Sequence, residues 1–504
     1  MTSLSTSMLR PLYRAAQVGE LDRRTIAGGI EGFALMQRAA SSAWHSFRGR
    51  WPQVRAVSVL CGGGNNGGDG HVLAALAAQA GLKVQRVVLK EISELQGDAG
   101  RAAQLATSAG VGCVAWHPEL ELTGEVVVDA LLGTGLDGEV KGDFRRAIEA
   151  INRSGLPVLA IDIPSGLAAD TGAVLGVAVQ ASRTVTFIGD KLGLHTGAAP
   201  GYTGEVDFRP LGVKALAFFD IPPAAWLLDE AILAESFPPR QRTVHKGDMG
   251  HVLVMGGAPG LGGAGILASQ TAARLGAGKI SLATAPEHVV ASLVRCPEVM
   301  AHGVRGVADL GELPAQADVR VVGPGLGKGA WGQAMLQSAL QEVSDSPRIV
   351  PLVIDADGLN LLATHWPALR RDDWILTPHP GEAARLLGIS AGEVQADRPA
   401  AALALQRKRG GVVILKGAGS LVAGPSGLMV CPYGNPGMAS GGMGDALSGI
   451  LGALLAQQLG LERSAWLGTL IHALAADCAV AEKGERGLLA GDLASYAREL
   501  VNPG

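Results

Sequence analysis

Short β-branched and aliphatic runs alternate with helical stretches along most of the chain. VRAVSVL (54–60) passes through CGGGNNGGDG (61–70) into HVLAALAAQAG (71–81), and KVQRVVLK (83–90) leads to DAGRAAQLATSAG (98–110). EVVVDALLGTGL (125–136) feeds FRRAIEAINRSG (144–155), and LPVLAIDIPSGL (156–167) follows. Strands alternating with helices at this spacing predict βαβ units and a mostly parallel sheet. The first 40 or so residues read as helical and are expected to cover that sheet. Around 210–245 the rhythm breaks in a segment with two Pro-Pro pairs, which reads as a linker. A second alternating series then starts at HVLVMGGAPGLGGAG (251–265) and runs through VRVVGPGLGKG, PLVIDADGLNLL, DWILTPHPGEAARLLG and GVVILKGAGSLVAG to NPGMASGGMGDALSG (435–449). The expectation is an α/β protein of two three-layer α/β/α domains, residues 1–225 and 226–504, without internal duplication.

Composition sharpens this picture in a few places. The 504 residues are 48% hydrophobic and 17% charged, which suits folded globular domains. Glycine, at 72 residues, is about twice its usual share and clusters between apolar runs, marking tight loops. A formal charge of −4 without basic runs gives no electrostatic reason to expect nucleic acid. Cys61, Cys113, Cys296, Cys431 and Cys478 form no CxxC pair, so neither a zinc knuckle nor a disulfide framework is expected. The chain start lacks the apolar core of a signal peptide, and the apolar run ALSGILGALLA is too short to span a bilayer. These features lead to the expectation of a protein of the reducing cytoplasm.

Candidate chemistry sits where strands feed helices, because helix N-termini present unpaired N–H groups and partial positive charge. Gly62–Gly70 adds Asn65, Asn66 and Asp69 to its glycines, polar groups that must be bonded or face a ligand. Asp129, Asp162 and Ser165 end other strands, and oxygens of Asn66, Asp129 and Ser165 are suited to meet around a hard cation. Equally, Asp129 and Asp162 could merely cap the helices that follow. In the second series, His379 and Glu382 of TPHPGE are either a proline turn with a favourably placed first-turn carboxylate or a substrate contact and a group ordering magnesium-bound phosphate. Lys416 and Ser420 flank a turn suited to a nucleotide. Asp445 follows a glycine cluster that lets phosphate approach a helix start, so it could accept a substrate hydroxyl's proton; the plain alternative is an N-cap. No Lys follows the glycines, so this is not a GxxxxGK[ST] loop.

The second half resembles the ribokinase-like family through GMGD (442–445). More narrowly, GPGLG (323–327), VIDADGLN (353–360), TPHPGE, LKGAGS and GNPGMASGGMGD resemble the ADP/ATP-dependent NAD(P)H-hydrate dehydratases. The first half resembles the NAD(P)H-hydrate epimerases through NNGGDG, DALLGTGL, IDIPSGLAADTG and GDKLGLHTG. The resemblance implies a Rossmann-like N-terminal domain that interconverts R and S hydrates. It also implies a ribokinase-like C-terminal domain that dehydrates the S form while consuming ADP or ATP, ADP giving AMP and phosphate. Carried over by motif, Asn66, Asp129 and Ser165 would bind potassium. Asn65, Asn66, Gly67, Gly68, Asp69, then Gly133, Thr134, Gly135, Leu136, Asp137, Gly138 and Glu139, and Asp162, would hold the hydrate, with Asp162 handling the proton. In the second domain Ala258, Gly325, His379 and Asp445 would contact the hydrate. Lys416, Gly417, Ala418, Gly419, Ser420 and Gly444 would contact the nucleotide, and Glu382 its magnesium and phosphate. Ser420 stands where Thr is more usual and keeps the hydroxyl. The resemblance implies small-molecule substrates and a homo-oligomer, with neither nucleic acid nor membrane as partner.

Three rival readings compete with this one. A small-molecule kinase shares the fold and the GxGD, but HPGE replaces the NxxE common among sugar kinases. A scaffold role for the first domain sits poorly with Asn66, Asp129, Asp162 and Ser165 all present. A nicotinamide dehydrogenase would need GxGxxG, and Lys90 occupies the place of its acidic residue.

Overall fold

The computed structural model describes residues 9–341 and 349–502. They divide into two compact units. One runs Pro11–Ala225, and the other takes Trp226 onward together with Leu9 and Arg10.

In the first unit seven parallel strands lie in the order Cys113–Ala115, Lys83–Val88, Ala56–Cys61, Val126–Ala130, Val158–Ile161, Arg183–Phe187, Glu205–Arg209. Strand residues alternate between two cores, as the two-residue pleat requires. Val57, Val59 and Val128 pack with the helices Gly32–Arg50 and Asn65–Gln79. Leu60, Val87 and Val127 pack with Ala147, Ile148 and Ile151 of the helix Gly142–Ser154. The expected helical start is interrupted: a strand, Arg10–Tyr13, precedes the helices Ala15–Ala27 and Gly32–Arg50, and Leu12 and Tyr13 pair with Asp190 and Lys191. The first eight residues of that expectation lie outside those described.

The second unit carries a larger sheet. Its strands run Met300–Gly303, Lys279–Thr284, His251–Met255, Val319–Val322, Leu352–Ile354, Trp374–Leu376, Val412–Leu415, then Ser420–Gly424 and Gly427–Cys431. All are parallel except Ser420–Gly424, which is antiparallel to both neighbours. Val252, Val254, Val321, Val353 and Ile414 pack on one face against residues of Met443–Ala456 and Leu461–Lys483. Leu461–Lys483 is long and apolar enough to cross a membrane, but most of its apolar window is buried in this core. The segment read as a linker is partly structured: Trp226 and Leu227 pair with Met429 and Val430, and Ile232–Ser236 is a short helix.

Both sheets reverse their winding once. In the first unit the reversal falls between Ala56–Cys61 and Val126–Ala130, in the second between His251–Met255 and Val319–Val322. Loops part at such a switch point and leave a crevice at the carboxyl ends of the strands. Glycine sits at these ends because backbone meets backbone there. A Cβ on Gly62 would stand 1.9 Å from the carbonyl oxygen of Leu131, and one on Gly67 2.0 Å from that of Gly62. At Gly64 a Cβ would meet nothing within 4 Å.

Gly62→Ala is therefore expected to destabilise the first unit by about 1–3 kcal/mol, and Gly64→Ala by less, roughly 0.5–1 kcal/mol for the weaker helix cap. Urea unfolding of the full chain, followed by tryptophan fluorescence, separates the two; equal midpoints would remove the close-approach argument.

Candidate active sites

The loop read as CGGGNNGGDG is shorter than its glycines suggest. The helix begins at Asn65 with Gly64 as its cap, so Asn65 to Asp69 form its first turns. A cleft of about 770 Å³ opens above this end. Gly63, Gly64, Asn65, Asn66, Asp69, Gly133, Thr134, Gly135, Leu136, Asp137 and Asp162 line it, as expected of a switch point. Gly67 and Gly68 lie behind it, pressed against Gly62 and against Met36 and Ala99. Gly138 and Glu139 do not line the cleft; Glu139 packs on Gly176 and pairs with Arg145 at 3.5 Å.

Neither strand-end aspartate is a helix cap. Asp129 is fully buried and accepts hydrogen bonds from the Ser165 hydroxyl (2.6 Å), the Ser165 N–H (2.8 Å) and the Leu131 N–H (3.2 Å). Asn66 donates through Nδ2 to the Leu132 carbonyl at 3.0 Å, and the Ser165 hydroxyl accepts from the Leu132 N–H at 2.8 Å. Among the described residues the Asn66 Oδ1, buried, has no hydrogen-bond partner. Asn66, Asp129 and Ser165 thus come together around the Leu132 turn, with one buried acceptor, Asn66 Oδ1, unpaired among the described residues.

Asp162 has φ +66°, a conformation rare outside glycine, so the fold holds it against its preference. Its carboxylate accepts from the buried Lys191 ammonium and, at 3.3 Å each, from the Thr186 hydroxyl and the Phe187 N–H. Lys191 also donates to Thr186 Oγ1 and the Phe187 carbonyl, each at 3.0 Å. Asp22, on the helix Ala15–Ala27, lines the same cleft. Burial, opposed by Lys191, pushes its carboxyl up to about 6. Burial and the charges of Asp162 and Asp22 push Asp69 well above the usual carboxylate range. Sequence reading passed over Asp22 and Lys191. Lys191 lies inside the quoted GDKLGLHTG, whereas Asp22 stands in an ordinary amphipathic helix that carries no local signal.

In the second unit Gly442, at φ +90°, caps the helix Met443–Ala456, so Asp445 is a first-turn residue and not the N-cap. It faces a buried ion pair. The Lys416 ammonium donates to Asp355 Oδ1 at 2.7 Å, and the Ser448 hydroxyl donates to Asp355 Oδ2 at 3.1 Å. Gly444 lets this helix turn sit on the pair: a Cβ there would stand 3.1 Å from Asp355 Oδ2 and 3.3 Å from Lys416 Nζ. Burial would raise the Asp355 carboxyl, but the Lys416 ammonium overcomes it and holds Asp355 below the usual range. Burial and the Asp355 charge push Asp445 up to about 7 against Lys416. Asp355 escaped the sequence-based site set although it stands in VIDADGLN at a strand end, the same signal that singled out Asp129.

His379 and Glu382 form the capped helix start of the plain reading. His379 caps Pro380–Leu387, accepting from the Gly381 N–H at 3.0 Å, while Glu382 Oε2 accepts from the His379 N–H at 2.8 Å. Burial, opposed by Lys416, also pushes Glu382 up to about 7. Ala258 and Gly325 meet at the switch point, where the Ala258 N–H donates to the Gly325 carbonyl at 2.7 Å. Gly417 to Gly419 turn from Lys416 into the strand that Ser420 begins, and the Ser420 hydroxyl donates to the Gly417 carbonyl at 2.9 Å.

Lys416→Met leaves Asp355 buried without its cation. Discounted for partial exposure of Lys416, the expected loss is about 2 kcal/mol at neutral pH. Because the Asp355 pKa is depressed in the folded state, its contribution is present above the unfolded carboxylate pKa and fades as pH falls. Thermal unfolding of variant and parent should therefore converge in acid; a constant gap would refute the pairing account.

Comparison with known proteins accords with this division. Residues 252–499 match the family model described as NAD(P)H-hydrate dehydratase, and residues 32–193 match that of the YjeF-related protein N-terminus. The bifunctional NAD(P)H-hydrate repair enzyme Nnr of Coxiella burnetii is 48% identical over 493 residues, spanning 98% of this chain and 99% of its own. The enzyme of the same name from Escherichia coli is 40% identical, over 94% of this chain and 90% of its own. Among solved structures, a ribokinase-like superfamily protein from Enterococcus faecalis aligns with TM-score 0.51 and 28% identity, covering 55% of this chain and 95% of that one. The chain belongs to the bifunctional NAD(P)H-hydrate repair enzymes.

Proposed function

We propose that the first unit epimerises R and S NAD(P)H hydrates in the cleft bearing Asp162. The second unit then dehydrates the S form with ADP or ATP at the site bearing Asp445. The observation that supports the second assignment is the position of a carboxyl: Asp445 stands one residue from Gly444, beside the Lys416–Asp355 pair, at a helix start that favours anions. Hydroxide leaves poorly. Asp445 takes the proton of the hydrate hydroxyl as that oxygen attacks the terminal phosphorus and the P–O bond to AMP (from ADP) or ADP (from ATP) breaks. Phosphate then leaves with help from the ring nitrogen's lone pair, and the neighbouring ring carbon gives up a proton to solvent as the C=C bond is restored. The Met443–Ala456 N-terminus and Lys416 offset the charge that develops on the phosphoryl oxygens. Ala258, Gly325 and His379 border the hydrate, Gly417 to Ser420 and Gly444 the nucleotide, and Glu382 faces its phosphates. Magnesium would enter with the nucleotide and supply countercharge. In the first unit Asn66 Oδ1, Asp129 and Ser165 form an oxygen-lined set that suits potassium, which would tie the Leu132 turn to the helix start.

The test mixes the full chain with both hydrates, magnesium, potassium and either ADP or ATP, and follows NADH absorbance. Both forms should be recovered. Asp445→Ala should lower dehydration by at least about 10²-fold, and Asp162→Ala should confine early recovery to the S form. Because Asp445 must be ionised to act, dehydration should rise with pH through about 7. No recovery with either nucleotide would refute the assignment in favour of a kinase. Potassium replaced by sodium should slow epimerisation in the parent and have little effect in Asn66→Ala.

A further inference from the structure

The cleft of the first unit carries more carboxylates than its one lysine can serve. Asp22, Asp69 and Asp162 line it with Lys191, whose donors go to Asp162, Thr186 and the Phe187 carbonyl. Among the described residues Asp22 takes no hydrogen bond or ion pair. The remaining charged residues on the cleft wall, Asp98 and Asp137, are acidic too. Three carboxylates sharing one cation disfavour full ionisation, so the cluster holds a proton to higher pH than isolated carboxylates do.

Asp22 also comes from a different wall. Val18, Asp22 and Ile26 fall four residues apart on one face of Ala15–Ala27 and line the cleft together, a carboxyl in an otherwise apolar stripe. Asp162 and Asp69, by contrast, belong to the segments that follow the sheet strands. Exchanging a hydroxyl between the two faces of a carbon is helped by an acid and a base held on different elements, and this cleft carries carboxyls on a helix and on a strand-end loop.

We propose that Asp22 is a catalytic residue of epimerisation, the acid–base partner of Asp162. The inference rests on the assignment of hydrate epimerisation to this unit. Water adds to the enamine of a dihydronicotinamide at the carbon beside the ring nitrogen. The hydroxyl therefore leaves with help from the nitrogen lone pair. Asp22 gives its proton to the departing hydroxyl as the C–O bond breaks, water is released, and the nitrogen pair forms a C=N bond. Water then attacks that carbon from the other face, the C=N pair returns to nitrogen, and Asp162 takes the proton of the new C–O bond's oxygen. The net transfer is one proton from Asp22 to Asp162, which solvent reverses; in the opposite direction the two exchange roles.

The experiment follows pure R hydrate turning into S without nucleotide, in the full chain, by chromatographic separation of the two forms. Asp22→Asn should cut turnover by about 100-fold or more with little change in KM, and Asp22→Glu should restore part of it. The parent profile should be bell-shaped, and Asp22→Asn should lose its alkaline limb, where Asp22 gives up its proton. Dehydration of the S form with nucleotide, run on the same preparations, should be unchanged. Turnover within a few-fold of the parent, or a loss confined to KM with the pH profile intact, would overturn the assignment. A parent profile with one rising limb would overturn it without any variant. A parent that does not interconvert the forms at all would refute instead the epimerase reading beneath it.

Discussion

Both units depend on backbone meeting backbone at the carboxyl ends of their strands. Gly62 lies on the Leu131 carbonyl in the first unit, and in the second a Cβ on Gly256 or Gly323 would stand 2.0 or 1.9 Å from a carbonyl oxygen of Pro324 or Asp355. No side chain fits in such a gap, and without the approach the loops on either side of each switch point would not converge. Their convergence is what brings Asn66 to Ser165 and Asp445 to Lys416. At these positions glycine is thus mechanical in origin, a consequence of building the crevices from loops that must nearly touch.

The two units use charge differently at these points. In the second, a partly exposed lysine is paired with a buried aspartate, and the carboxyls of Asp445 and Glu382 feel that pair's charges. Each is pushed to about 7, where a carboxyl can take and return protons near neutral pH. In the first, the lysine is committed to Asp162 while Asp22 and Asp69 share its field without bonding it. One arrangement suits a single base beside an anion site. The other gathers several carboxyls around one cation.

The chain alone determined a great deal. Alternation of apolar runs and glycine turns gave two parallel α/β units, and strand-end position singled out Asn66, Asp129, Asp162, Ser165 and Lys416, because a parallel sheet delivers the carboxyl ends of its strands to one edge, while a glycine cluster before a helix singled out Asp445. What only the tertiary structure decided are the partners. Asp355 becomes visible as the anchor of Lys416 across 61 positions, and Asp22 reaches the cleft from a helix whose local pattern looks merely amphipathic. Glu139 shows the converse, since a residue within a site motif turned out to point elsewhere, against Gly176 and Arg145. Local sequence encodes which way each element winds and where it stops. The burial that shifts a carboxyl, and the neighbour that holds it, arise from packing between segments far apart in the chain, and no local pattern carries them.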